Sequence, residues 1–429
     1  MQKPKQKKPN PQLQHWLDVY DDIYADYLGQ LEGAGIVFAA PGSSEKAAQE
    51  LRARLEGLGA SVRNGGASIA AGWLSSACVA CTGGMSETFF ISLACTRDCY
   101  FCFNPNQNNY EHYLHEKRDW RSELDDLAAQ GAAMTHIGLT GGEPLLIKED
   151  AYAFFTHARA LFPEAHLRLY TAGDLLDEDT AKCLRGCGVD EVRFSLKPDD
   201  GPDDLQHVLG NIRGAVRLIP DVMVEMPVIP GTEDFMRGLL VSLDEAGVRG
   251  VNLLEFCFPF NNWDAFNERG FTIKNPPFPV LYNYSYAGSL PVAGSEEAAL
   301  GLMLFALENK LAMGLHYCSL ENKHRDQILQ QNRSAAFDGL HYELDQEDFF
   351  YKAVKFYGEE AALVRAWLEE NTPEGPECYG LDEEDGSLSV HPRLLERLRS
   401  LPVTPALSYA VAELREGAPV LRELRLALV

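Results

Sequence analysis

From Glu87 to Cys257 short apolar runs alternate with stretches in which apolar residues recur every three or four positions. The first pattern predicts buried strands and the second amphipathic helices. The strand-like runs are Thr88 to Leu93, Thr135 to Leu139, Leu167 to Thr171, Glu191 to Leu196, Val222 to Val228 and Gly250 to Cys257. Helical spacing fills the gaps at Trp120 to Gln130, Glu149 to Leu161, Glu178 to Leu184, Asp203 to Leu218 and Glu233 to Ala246. Strict β/α alternation predicts an α/β fold with parallel strands and right-handed crossovers.

On the N-terminal side, Leu13 to Leu31 has helical spacing and ends at Gly33 and Gly35. A strand at Ile36 to Ala39, a helix from Ser44 to Leu58 and an extended piece near Ala67 to Trp73 complete a small α/β leader. Beyond Phe258 the pattern predicts a helix over Ser295 to Met313, an apolar run Gly314 to Tyr317 and a helix near Asn322 to Gln331, one further β/α-like unit. Residues 337–370 read as helical, and Ser408 to Leu414 with Pro419 to Leu428 reads as a hairpin. The expected organisation is a disordered basic tail over 1–12, a leader over 13–86, a core over 87–281, and a C-terminal extension over 282–429 placed to cover substrate.

Composition narrows the function classes. In this chain of 429 residues, 63 acidic against 38 basic side chains give a net charge of −25, which repels phosphate backbones and disfavours a nucleic-acid substrate. The concentrated basic stretch, Lys3, Lys5, Lys7 and Lys8, lies among prolines in the tail. No apolar stretch approaches the roughly 20 residues that cross a bilayer, and the N-terminus lacks the apolar core of a signal peptide. A cytoplasmic protein is expected, with no membrane partner. Its ten cysteines then point to metal or cluster ligation plus some buried thiols, not to disulfides.

Three of them, Cys95, Cys99 and Cys102, share one loop directly after the first core strand. Thiolates so spaced can wrap an iron–sulfur cluster, and a [4Fe-4S] cube held by three protein ligands leaves one iron open. Zinc with a fourth ligand from elsewhere and plain free thiols are the other readings. At the end of the second core strand stands Thr140-Gly141-Gly142-Glu143-Pro144, where paired glycines let backbone approach a ligand closely and the carbonyl and carboxylate that follow can accept bonds from an ammonium group.

The cysteine spacing, with the aromatic Phe101 before the third cysteine, and the glycine-rich segment together resemble the radical S-adenosylmethionine (SAM) superfamily. The resemblance covers residues 88 to 257. It implies a partial (β/α)6 barrel with the site at the C-terminal strand ends, a [4Fe-4S] cluster on Cys95, Cys99 and Cys102, and SAM against Phe101, Gly141, Gly142 and Glu143. It further implies an oxygen-sensitive enzyme served by a flavodoxin- or ferredoxin-type reductant. Thr171, in Tyr170-Thr171-Ala172-Gly173, resembles a segment beside SAM. Ser195-Leu196-Lys197 resembles the Asp-Leu-Lys segment of glycyl-radical-enzyme activases, which implies Ser195 on the ribose and Lys197 on the methionine carboxylate. Asn104-Pro105 and Pro227-Val228-Ile229-Pro230-Gly231 lean the same way, whereas Phe103 stands where activases carry histidine.

Cys78 and Cys81, followed by Gly83 and Gly84, form a Cys-x-x-Cys pair suited to half a zinc site or half an auxiliary iron–sulfur cluster, or to a redox or structural role. Cys318, Cys257, His316 and His324 are their candidate partners. Cys318 and then Cys257 are the candidate catalytic thiols, able to donate a hydrogen atom to a substrate radical; each alone also reads as a buried core thiol. Cys183 and Cys187, four apart on a helix, read as one face packed on the sheet. The resulting expectation is a radical SAM enzyme that abstracts hydrogen from a peptide or protein, or from a small organic molecule. A glycyl-radical-enzyme activase and a non-catalytic zinc or electron-transfer protein are the rival classes.

Overall fold

The computed structural model describes residues 8–81, 86–131, 134–284, 288–333, 337, 340–373 and 375–429. The chain divides into two compact units, one of residues 37–277 and 284–326, the other of residues 1–36, 278–283 and 327–429.

The first unit is built on a nine-stranded sheet. Its strands are β1 (Ser61–Arg63), β2 (Ser68–Ala71), β3 (Ser86–Phe90), β4 (His136–Thr140), β5 (His166–Thr171), β6 (Glu191–Ser195), β7 (Asp221–Val228), β8 (Gly250–Glu255) and, after the short antiparallel pair β9 (Cys257–Phe258) and β10 (Leu290–Pro291), β11 (Gly314–Cys318). The order is β1-β2-β11-β8-β7-β6-β5-β4-β3. From β3 to β8, and on to β11, every pairing is parallel, while β2 joins β11 antiparallel. The expected partial barrel is present, and the segment after residue 282 adds a seventh parallel strand to its six.

Side chains alternate across each strand. Leu167, Leu169, Val192, Phe194, Val224, Val251, Leu253 and Leu315 face a layer of helices and bury Phe154, Phe155, Leu184, Ile212, Leu240 and Leu302 with them. The opposite face is polar, carrying Arg168, Glu191, Arg193, Glu225, Asn252 and His316. The helix Glu45–Gly57 joins this core through Ala48 and Leu55. The expected strand at Ile36 to Ala39 reduces to one bridge, Phe38 to Ile273.

In the second unit an antiparallel sheet runs β14 (Tyr379–Leu381), β15 (Ser387–Val390), β13 (Tyr351–Tyr357), β16 (Ala406–Arg415), β17 (Ala418–Leu428), with β12 (Glu343–Leu344) paired to β13. Val364 and Leu368 of the helix Gly358–Asn371 pack on Val354, Phe356, Leu388 and Val390. Residues 337–370 are thus not one helix. The spacing of Lys352, Lys355, Glu359 and Glu360 imitates helical periodicity, but the aromatic and β-branched residues of 349–357 form a strand, and Lys355 is buried on Asp385 at 2.8 Å and Glu423 at 3.2 Å. The predicted hairpin is β16–β17, turned by Glu416 and Gly417, both at positive φ, the conformation that matches strand twist.

The units do not follow the boundaries expected from sequence. Strands β1 and β2 belong with the parallel sheet, whereas the helix Pro11–Gly33 packs Leu13, Trp16, Leu17 and Tyr20 on Tyr357, Ala406 and Leu426 of the second unit. Of the expected tail, residues 1–7 lie outside the described residues. Asn10 instead caps that helix, accepting from Leu13 N at 3.0 Å. Among the described residues no helix is long and apolar enough to cross a membrane.

Candidate active site

Beyond β3 the chain turns into the cysteine loop at the C-terminal end of the parallel strands. Cys102 N donates to Cys99 O at 3.0 Å, Arg97 N points at Cys95 Sγ and Asn104 N at Cys102 Sγ, each at 3.5 Å. Burial raises all three thiols, and the charge of Lys197 lowers them. Three thiols turned onto one loop beside a cation fit a cluster that takes thiolates. Loading it releases their protons.

Aromatic side chains fix this loop. Tyr100 and Phe101 meet the Phe256 ring at 6.1 and 5.3 Å, Tyr100 meets Phe266 at 5.1 Å, and Arg269 lies 4.1 Å over Tyr100. Phe256 and Phe266 lie more than 150 positions beyond the cysteine loop, so no local spacing in the sequence marks this anchoring role.

The glycine-rich segment meets the same loop backbone to backbone. Gly142 N donates to Ser92 O at 3.1 Å and Glu143 N to Ala94 O at 2.8 Å, while Asn104 Nδ2 donates to Gly141 O at 2.7 Å. A Cβ on Gly142 would stand 1.9 Å from Ala94 O, and one on Gly141, whose φ is +120°, 2.5 Å from Ser92 O. Both glycines are therefore required by the strand-to-loop contact itself.

Glu143 is 2 % exposed. Its carboxylate accepts from Leu145 N at 2.9 Å, Ala172 N at 2.6 Å and Thr171 Oγ1 at 2.9 and 3.0 Å, and Thr171 Oγ1 in turn accepts from Gly173 N at 3.0 Å. Burial raises Glu143 and these donors oppose the rise. The two side chains brace the ends of β4 and β5 together, so the carboxylate that sequence reading offered to an ammonium group is already engaged. Ser195 and Lys197 lie at the end of β6. Lys197 N donates to Asp200 Oδ2 at 3.2 Å, and the charge of Lys197 lowers the Cys99 thiol against burial.

The polar face of the sheet forms a continuous network. Ser75 donates to Glu191 at 2.5 Å, Arg193 reaches Glu191 and, at 2.8 Å, Glu225, and Asn252 donates to Glu225 at 2.9 Å. His316 Nδ1 meets Asn252 Oδ1 at 3.0 Å and its Nε2 meets Ser68 at 2.8 Å, which leaves neither ring nitrogen for a metal. Burial lowers His316 to about 3. Cys78, on the short helix Ser76–Ala80, faces this network, with Arg193 at 3.4 Å and Asn252 Nδ2 at 3.5 Å from Sγ. Burial pushes Cys81 up to about 12. Gly83 and Gly84, which follow the pair in sequence, lie outside the described residues.

His324 is stacked on Tyr284 with centroids 3.6 Å apart. Among the described residues no third Cys, His, Asp or Glu completes a group around Cys78 and Cys81 within 4.8 Å. The one group so gathered is His166, Glu191 and Asp221, at the opposite, N-terminal ends of β5, β6 and β7, where Arg193 and Arg249 already hold the carboxylates.

Cys318 ends β11 and accepts from Asn322 Nδ2 at 3.4 Å. Burial pushes it up to about 11 while Lys323 pulls it down. Cys257 is buried and donates to Glu255 O at 3.2 Å. Cys183 is exposed and Cys187 alone of that pair packs on the core. The pair does not form one buried face, because Cys187 closes the helix Glu178–Gly186 while Cys183 lies on its outer side.

Glu255, at the end of β8, accepts from Leu320 N at 2.7 Å beside the Lys274–Glu296 pair at 2.7 Å. Burial pushes it up to about 7, against Lys274 and with Glu296. A carboxyl raised on folding stabilises fully below its unfolded value near 4.5, and that stability is lost as pH rises through about 7. Glu255→Gln is expected to leave stability unchanged at pH 4 to 5 and to raise it at pH 8.5 by about 2 kcal/mol. Thermal melting at both pH values checks this; equal melting of variant and wild type at pH 8.5 would refute the shift.

A family model, Radical SAM superfamily, matches residues 89–240. The chain is 27% identical over 374 residues, 83% of its length and 93% of the other's, to a protein of Methanocaldococcus jannaschii named "Putative glycyl-radical enzyme activating enzyme". It is 30% identical over 150 residues, 33% of its length and 46% of the other's, to a "Probable GTP 3′,8-cyclase" of Thermococcus kodakarensis. Among solved structures, Streptococcus suis SuiB aligns over 73% of this chain and 64% of that one with a TM-score of 0.40 and 12% identity. With the cysteine loop and the glycine-rich segment both inside the matched span, residues 89–240 match the radical SAM superfamily, and the chain is an enzyme whose cofactors are a [4Fe-4S] cluster and SAM.

Proposed function

We propose that Cys95, Cys99 and Cys102 hold the cluster, that SAM lies against Phe101, Gly141, Gly142, Ser195 and Lys197, and that the enzyme abstracts hydrogen from a protein or peptide. The observation that carries the site assignment is the junction itself: the cysteine loop is hydrogen-bonded to the glycine-rich segment by Asn104 at 2.7 Å, and the charge of Lys197 lowers the Cys99 thiol against burial. A cluster held by Cys95, Cys99 and Cys102 would supply the one-electron chemistry for reductive cleavage of SAM.

The protein's own part is positioning. Lys197 offers a point charge to a carboxylate, and the Glu143–Thr171 brace holds the ends of β4 and β5 at fixed spacing beneath it. Cys318 stays protonated at neutral pH because burial raises it, and a protonated thiol is the form that can donate a hydrogen atom. The similarity over 83% of this chain to a protein named as a glycyl-radical enzyme activating enzyme supports a protein substrate and favours the activase as a second reading, to which Asn104-Pro105 also leans.

With reductant and SAM the protein is expected to release 5′-deoxyadenosine slowly without substrate, and faster when its substrate is added. Chromatography of the quenched reaction checks this. A reducible cluster that yields no 5′-deoxyadenosine, under conditions where a known radical SAM enzyme does, would refute the reading.

A further inference from the structure

Lys323 stands in the first turn of the helix Leu320–Arg333, five residues past Cys318. Its ammonium lies 5.4 Å from the centre of the Phe103 ring, one residue beyond the third loop cysteine. It also acts on both candidate catalytic thiols, drawing Cys318 and Cys257 down against burial. The helix that carries it is fixed at its start: Leu320 N is held by Glu255, Asn322 N by Ser319 Oγ at 3.1 Å, and the Asn322 side chain by Asn64 at 2.7 Å.

Four glutamates of this unit are committed elsewhere. Glu255 takes Leu320 N, Glu321 takes Arg325, Glu225 takes Arg193 and Asn252, and Glu296 takes Arg52 and Lys274. Among the described residues no carboxylate lies within ion-pair distance of Lys323. The undescribed segments of this unit, 82–85, 132–133 and 285–287, contain no Asp or Glu. In a chain with a net charge of −25, an ammonium resting on an aromatic face with no carboxylate at ion-pair distance is open to an anion from outside the chain.

We propose that Lys323 selects the substrate by pairing with an anionic group on it, a carboxylate or a phosphate, and so sets the reacting carbon beside Cys318. This rests on the reading that Cys318 faces substrate. The recognition itself needs no turnover, so it can fail or stand independently of the radical chemistry.

The test uses the anaerobic, cluster-loaded protein and site-resolved mass spectrometry. Iodoacetate, an anion, and iodoacetamide, its neutral counterpart, compete for Cys318, with exposed Cys183 as internal reference. The iodoacetate preference at Cys318 is expected to exceed that at Cys183 about fivefold, the effect of one nearby cation, and to fall to the reference in Lys323→Gln. In a second arm, glutarate or inorganic phosphate is expected to slow acetylation of Lys323 by an N-hydroxysuccinimide ester several-fold, the stronger protector telling carboxylate from phosphate. This arm decides alone if Cys318 resists both alkylating reagents. The proposal is overturned by an unchanged preference in Lys323→Gln, by protection from neither anion, or by loss of the preference on saturation with SAM, which would assign the cation to the cofactor's carboxylate.

Discussion

Anaerobically purified protein with Cys95, Cys99 and Cys102 all changed to alanine is expected to contain no [4Fe-4S] cluster, and to show neither its visible absorption nor its reduced paramagnetic signal. The three thiols lie on one loop, and no other three cysteines of the chain share a loop. The companion variant Cys78→Ser/Cys81→Ser is expected to keep about four irons per chain, because Cys78 faces Arg193 and Asn252 instead of a ligand set. Iron and zinc analysis of both variants checks the pair of outcomes. A cluster surviving in the triple variant would refute the first; wild-type metal beyond four irons that disappears with Cys78 and Cys81 would refute the second.

Gly142→Val is expected to be nearly as severe. A Cβ there stands 1.9 Å from the Ala94 carbonyl, far inside contact distance, and both partners are backbone, so neither can swing aside. The loop entering Cys95 or the end of β4 must move, at a cost of about 3 kcal/mol or more. Lower cluster content, a weaker spectral response to SAM and a lower melting temperature should appear together. Gly210→Ala is the matched control, since that helical glycine has open space around its Cβ and alanine there should stabilise slightly. A Gly142→Val protein with full cluster content and normal SAM response would show that the close approach is not real.

The parallel core was legible because its strands are short apolar runs and its helices keep one apolar face, so period alone separates them. The cysteine loop was legible for a different reason: ligand spacing is local. What stayed hidden depends on partners far apart in sequence. Nothing near Glu143 announces that its carboxylate will be taken by Thr171 and Ala172, nor does Arg193 reveal Glu225. The helical reading of 337–370 failed because charged residues fell at helical intervals on a strand whose lysine is buried, and the leader was drawn as a unit because adjacency in sequence hid the pairing of β2 with β11. Lys323 lies just past a candidate thiol, but in sequence it is one of three basic residues with His324 and Arg325, and only its place over the Phe103 ring sets it apart.

The two joins between distant segments bear on how the chain matures. Ser68 meets His316 across 248 positions and Tyr20 meets Glu423 across 403, whereas β3 to β8 pair strictly with their nearest predecessors. On a ribosome the central strands can assemble as they emerge, but β2 must wait for β11, and the helix Pro11–Gly33 must wait for β16 and β17. Until then the apolar face of that helix, Leu13, Trp16 and Leu17, has no native surface to cover it. A nascent or truncated chain lacking β16 and β17 would therefore present a sticky amphipathic helix over Pro11–Gly33, the place where a chaperone would be needed most.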